Sequence, residues 1–268
     1  MTITRSRRSA LWIALLSTLA ALAACTSSDR PDKADRAAPA PAVTAALRTV
    51  ERSTDRAESA RVRSTTAMGS TLSMKADGTL AWSDGLTGAL TITYTGGTTA
   101  ETMRKLGTTS MQARYLPDAY YARMGETFAE KTGGKHWIKY AYDDLDDLAG
   151  SSGADLADQM RGTAPHTSVK LLLSSTDVRK VGEETLKGRR TDHYSGTVRG
   201  DGATEQTVDI WVDDRNLLVK KVEKGLTATG RLTQTAYYSD YGVKATVEKP
   251  PVADTADLKE LLKESAGR

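Results

Sequence analysis

Cysteine is almost absent: Cys25 is the only one in 268 residues. A single thiol excludes an intrachain disulfide and a metal site built from several thiolates. Phenylalanine and asparagine each occur once, as Phe128 and Asn216, and histidine three times, as His136, His166 and His193. Those histidines have no His-Glu-x-x-His spacing, and the chain has no Gly-x-Ser-x-Gly elbow and no P-loop or Rossmann glycine pattern. The acidic run Asp143 to Asp147 lacks the Asp-x-Asp-x-Asp-Gly spacing of a calcium loop. Its carboxylates suit helix N-termini better. Asp192 and His193 are adjacent on a strand pattern, so their side chains point to opposite faces and cannot form two thirds of a triad. His193 shares its face with Thr191, Ser195 and Thr197 and is expected on the solvent side. No enzyme, cofactor or metal site is expected.

An excess of one charge is also missing once the first 24 residues are set aside. The chain carries 37 Lys and Arg against 34 Asp and Glu. Without Arg5, Arg7 and Arg8 the balance is 34 against 34. A neutral remainder gives no electrostatic case for a nucleic-acid partner.

Those three arginines precede Ser9 to Ala24, an uncharged run of 16 residues. It falls short of the ~20 apolar residues that cross a bilayer and has the layout of a secretory signal. Its end, Leu22-Ala23-Ala24-Cys25, resembles the bacterial lipobox. That resemblance implies cleavage after Ala24, a diacylglyceryl thioether on Cys25, and Cys25 as the new N-terminus. The plain alternative is an ordinary signal peptide with an incidental cysteine. Two acyl chains suffice for a stable anchor where one is marginal. Cys25 is therefore expected to hold the protein at the outer face of the cytoplasmic membrane. Thr26 to Ala42 has no large apolar residue and three of the seven prolines. It reads as a tether with a reach of ~50 Å at about 3.1 Å per residue.

The remainder is long enough for one sizeable core. Val43, Ala46, Leu47, Val50 and Ala57 fall at helical spacing. Leu90, Ile92 and Tyr94 alternate with threonines, and Met68, Leu72 and Met74 with small polar residues, as in half-buried strands. Turns are expected at Asp77-Gly78, Pro117-Asp118, Leu186 to Gly188 and Asp213 to Asn216. Short helices are expected around Leu145 and Leu148, around Leu156 and Met160, and from Pro165. "VKATVEKPP" (residues 243–251) is expected to close the sheet, followed by a C-terminal helix. Ten or eleven strands in hairpin order form a large antiparallel sheet, which must curl. The fold class is α+β: a curled antiparallel sheet wrapped around helices.

This plan resembles the LolA/LppX-like bacterial lipoproteins, in particular the actinobacterial LppX and LprG group. The likeness is carried by the lipobox, by "VGEETLKGRRTDHYSGTV" with its Thr-x-His-Tyr strand at Thr191 to Tyr194, by "VDIWVDDRNLLVKKV" and by "YYSDYGVKATVEKPP". It implies residues 1–24 as lipoprotein signal peptide, 25–42 as lipidated cysteine and tether, 43–252 as the LolA/LppX-like domain and 253–268 as a C-terminal helix. It also implies a strongly curved antiparallel sheet, a half-barrel, enclosing a hydrophobic cavity that accepts acyl chains of lipids or lipoglycans. Met68, Leu72, Met74, Leu90, Ile92, Met111, Met124, Val208, Ile210 and Val212 are the candidate lining, with adaptable thioethers and few bulky rings. The same residues also suit a filled core, in which case the protein is a surface interaction or sensor module without lipid cargo. A monomer is expected.

Overall fold

The computed structural model describes residues 40–148, 163–199, 205–227 and 229–266. Ala24, Cys25, nearly all of the tether and the helical pattern around Leu156 and Met160 lie outside them.

The first helix, α1 (Pro41–Arg56), starts on a proline and buries Leu47, Val50 and Thr54 along one stripe. Its end is set by Glu58, whose φ of 58° leaves the helical region. The strands β1 (Ser59–Met68), β2 (Leu72–Ala81) and β3 (Thr87–Gly96) follow as a meander, then α2 (Gly97–Lys105), β4 (Ser110–Tyr115) and β5 (Ala119–Arg123). Next come α3 (Glu126–Lys131), β6 (Trp137–Ala141), α4 (Tyr142–Leu148) and α5 (Pro165–Leu173). The second run of strands is β7 (Arg179–Leu186), β8 (Arg189–Arg199), β9 (Glu205–Asp213), β10 (Leu218–Thr227) and β11 (Gly230–Ser239). A 3₁₀ turn (Val252–Asp254) leads into the short β12 (Thr255–Asp257) and α6 (Leu258–Ala266).

All twelve strands form one open sheet, in the order β12-β6-β5-β4-β3-β2-β1-β11-β10-β9-β8-β7. Every neighbouring pair is antiparallel except β12 with β6. Tyr120 and Ala122 of β5, Tyr194 and Val198 of β8 and residues of the strands between them form one apolar cluster with Leu47, Val50, Leu145, Val169 and Leu172 of the helices. A twisted sheet of this size coils about such a cover.

Glycine makes two of these approaches possible. A Cβ on Gly196 of β8 would sit 2.7 Å from Ser175 Oγ and 2.9 Å from Leu172 Cδ1, so its absence lets α5 settle onto the strand. At Gly78 a Cβ would lie 2.0 Å from the Ala89 carbonyl oxygen of the neighbouring strand.

Gly78 also corrects an expectation. Asp77-Gly78 is not a turn but the middle of β2, and the hairpin turns instead at Gly69 to Thr71. The glycine serves close strand approach, while Asp77 pairs with Arg63 on the outer face. The helical pattern stops at Arg56, and Ala57 lies outside it. Residues 243–250 form no strand. They cross the convex face as a strap, held by the Ser59 hydroxyl on the Val243 carbonyl, Arg114 on the Glu248 carbonyl and Lys249 on Asp118. The strap delivers β12 to the edge of β6, so the sheet closes with a parallel strand and reaches twelve in all.

Candidate functional site

Strand register sorts the concave face into rows, because directly paired residues share a face. Val62 of β1 is opposite Gly78 and Tyr238, Ser64 opposite Ala76 and Ala236, Thr66 opposite Met74 and Gln234, and Met68 opposite Leu72 and Leu232. The Val62 end is closed. There Trp82 donates to the Asp55 carbonyl at the end of α1, the Thr54 hydroxyl accepts from the Leu218 amide, and the Tyr241 hydroxyl caps the Leu218 carbonyl.

The candidate lining divides along these rows. Leu90, Ile92, Met111, Val208, Ile210 and Val212 are buried in the cluster with the helices. Met74 and Met124 are half-buried at its margin, and Met68 and Leu72 are half-buried beyond it. Tyr94, opposite Met74, places its hydroxyl 3.9 Å from the Met111 sulfur. Tyr115, Tyr120 and Tyr140 continue that side in edge-to-face contacts at 5.1 and 5.7 Å. Burial pushes the Tyr115 hydroxyl up to about 12 and raises those of Tyr94, Tyr120 and Tyr140, so this wall carries no charge at neutral pH.

Two charged residues lie near the centre of the concave face, and the sequence pattern hides them. Leu218 faces inward beside Val212, so strict alternation along "LVKKVEK" would turn Lys221 and Glu223 outward. A bulge between Leu218 and Lys220 shifts the register by one residue. Lys220 then faces Trp211 on the outside, with Nζ 3.7 Å from the indole centroid. Lys221 falls opposite Ile210 and Ala236, and Glu223 opposite Val208 and Gln234, all on the inside. Lys221 Nζ lies 2.9 Å from Glu223 Oε1, with the side chains only 11% and 14% exposed. Burial opposes the ammonium, but Tyr238 and Glu223 outweigh it and raise its pKa.

Each histidine faces carboxylates. His136 Nδ1 is 2.7 Å from Asp254 and Nε2 is 3.3 Å from Glu126. His193 lies between Glu184 and Asp209, at 3.1 and 3.0 Å, and stacks on Trp211 at 4.2 Å. Its ring is only 12% exposed, so the expected solvent side is in fact a packed polar layer on the convex face. Asp192 points the other way, to Lys180 at 2.8 Å. His166 Nδ1 is 3.5 Å from Asp55. It borders a pocket of about 270 Å³ at the closed end, between Trp82, Leu86, Leu116 and Tyr142. A second pocket, of about 330 Å³, lies beside α6 among Lys131, Lys135, Asp257, Glu260 and Glu264. Among the described residues, no three His, Cys, Asp or Glu side chains are grouped to hold a metal ion. No described helix is long and apolar enough to cross a membrane.

No family model matches the chain. A protein of Streptomyces coelicolor, named "Putative lipoprotein SCO4650", is 70% identical over 227 residues, covering 83% of this chain and 79% of its own length. Among solved structures, LprF of Mycobacterium bovis superposes with a TM-score of 0.51 at 16% identity, over 80% of this chain and 99% of its own. The lipoprotein LppX of Mycobacterium tuberculosis gives 0.51 at 17% identity, over 78% and 99%. At such identities the likeness speaks for the fold: a LolA/LppX-like half-barrel.

Proposed function

This chain belongs to the family of the Streptomyces coelicolor lipoprotein and has the LppX-type fold, and from that premise we propose that it binds acyl chains of a membrane amphiphile in its half-barrel. Cys25, lipidated after cleavage behind Ala24, tethers it to the outer face of the cytoplasmic membrane. The reading of the anchor rests on the basic flank, the 16-residue apolar run and the lipobox-like ending.

The observation that carries the binding role is the half-buried apolar row at one end of the concave face. Met68, Leu72 and Leu232 are paired neighbours there and retain accessible surface, while Ala76, Ala236, Val62 and Tyr238 in the rows further in are buried. An apolar floor with flexible thioethers at its margin adapts to a chain of carbons. Transfer of each methylene from water to that floor contributes about 0.8 kcal/mol. Native mass spectrometry of the protein purified from its own envelope tests this. A discrete added mass of acyl-lipid size is expected, and a bare polypeptide mass in every preparation would sink the proposal.

A second reading has its own support. Leu90, Ile92, Met111, Val208, Ile210 and Val212 fill the centre of the half-barrel under α1, α4 and α5, as in a protein that carries no cargo. On that reading the protein is a surface interaction module, and a specific envelope protein would copurify in place of lipid.

A further inference from the structure

The half-barrel needs no charges on its inner wall to fold. Two inner-wall charges nonetheless lie near its centre, on β10. A buried ion pair gains little net stability, because desolvating both ions offsets their attraction, and apolar replacements of similar volume are often neutral or stabilising. With regular alternation Lys221 and Glu223 would face outward instead. The bulge after Leu218 is what brings them inside. Bulges recur where a strand must re-aim a side chain toward a site.

Ile210 and Val208 of β9 flank the pair on one side, and on the β11 side its surroundings are polar or small. Gln234, opposite Glu223, donates to the Thr66 hydroxyl at 3.3 Å, and Tyr238 is near enough to Lys221 to influence its charge. Across β11 and β1 from Lys221 stand Ala236 and Ser64, with short side chains. Glu223 engages one of the ammonium's three N–H groups and offers only part of its own acceptor capacity. The seat therefore presents donors and acceptors side by side with no net charge.

We propose that Lys221 and Glu223 form a polar seat for a neutral hydroxyl-bearing group, such as the glyceryl end of an acylated molecule whose chain lies on the Met68, Leu72 and Leu232 row. This rests on the acyl-chain reading above and adds its selectivity. A lone anion would gain Lys221 but oppose Glu223, and a lone cation the reverse. A pair of hydroxyls accepts from the ammonium and donates to the carboxylate, so the interior takes in no unbalanced charge. The row order Lys221, Glu223, then Gly225 opposite Leu232 places the seat deeper than the apolar row, so the hydroxyl end enters first.

The test uses delipidated protein loaded with a fluorescent fatty acid, displaced by a 1-monoacylglycerol or by the methyl ester of the same acyl chain. Wild type is expected to prefer the monoacylglycerol by about tenfold or more, in line with hydrogen bonds to charged groups. The double variant Lys221→Met with Glu223→Leu is expected to bind both ligands equally, with thermal stability unchanged or raised. Equal affinities in wild type, or a preference that survives in the double variant, would overturn the seat. The wild-type comparison holds even if the double variant fails to fold. A wild type that binds the ester without preference removes the seat alone, whereas one that binds neither ligand removes the acyl-chain reading as well.

Discussion

His136 Nδ1 lies 2.7 Å from Asp254 Oδ1, and the same carboxylate oxygen accepts from the His136 backbone amide at 2.8 Å. This double contact sits where the convex strap ends and β12 begins to pair with β6. Hydrogen bonds to Asp254 and then Glu126 raise the His136 pKa above its usual 6.5, against a smaller effect of desolvation. Asp254 is held below its usual 3.8, first by the His136 backbone amide. A raised histidine pKa stabilises the folded edge fully below the unfolded value and ceases to do so as pH rises through the folded one. The lowered Asp254 contributes above its unfolded pKa and fails as pH falls through the folded one. Hydrogen-exchange protection of residues 255–257 is thus expected to be higher at about pH 5 than at about pH 8.5. His136→Gln should flatten that difference, and an unchanged difference in the variant would refute the assignment.

The two glycine approaches predict a graded series. Gly78→Ala forces a Cβ onto a backbone oxygen that cannot move away, and should cost more than the 1–3 kcal/mol typical of overpacking. Gly196→Ala meets side-chain atoms that can shift and should fall within about that range. Gly182→Ala has nothing within 4 Å of the new methyl and should stay within about 0.5 kcal/mol of wild type. Urea unfolding of the three variants checks the order.

Core and floor should separate under mutation. Ile210, fully buried among the helices, should lose about 2–5 kcal/mol of stability as Ile210→Ala. Met68, half-buried on the open row, should lose less than about 1.5 kcal/mol as Met68→Ala, yet weaken acyl-chain binding severalfold. If Met68→Ala destabilises as much as Ile210→Ala, the open row is core and the second reading gains.

Cys25→Ser should move the protein from the membrane pellet to the soluble fraction after cell fractionation. Membrane retention equal to wild type would contradict the anchor.

Much of this architecture can be read from the sequence where local patterns and tertiary context agree. Pro165 opens α5 as its position suggests, the turns at Pro117-Asp118 and Asp213 to Asn216 stand where expected, and Leu90 to Tyr94 alternate about the sheet. The failures share one cause, context that overrides a local signal. Asp77-Gly78 has turn composition, but the glycine answers a strand crowding it from the side. The strap at 243–250 has strand-like composition, but it lies over the convex face instead of along an edge. The candidate site was half legible. Its apolar rows follow from alternation, while Lys221 and Glu223 do not, because a one-residue bulge reverses every side chain after it. The burial of His193 beside Glu184 and Asp209 depends on pairings between β7, β8 and β9 that no local window contains.

Titration of the delipidated, Cys25-free protein with a fluorescent fatty acid reads acyl-chain binding by the half-barrel itself. Saturable one-to-one binding is expected in wild type, clearly weakened in Met68→Asp at nearly unchanged thermal stability. No saturable signal in wild type, or identical curves for wild type and Met68→Asp, would contradict that expectation.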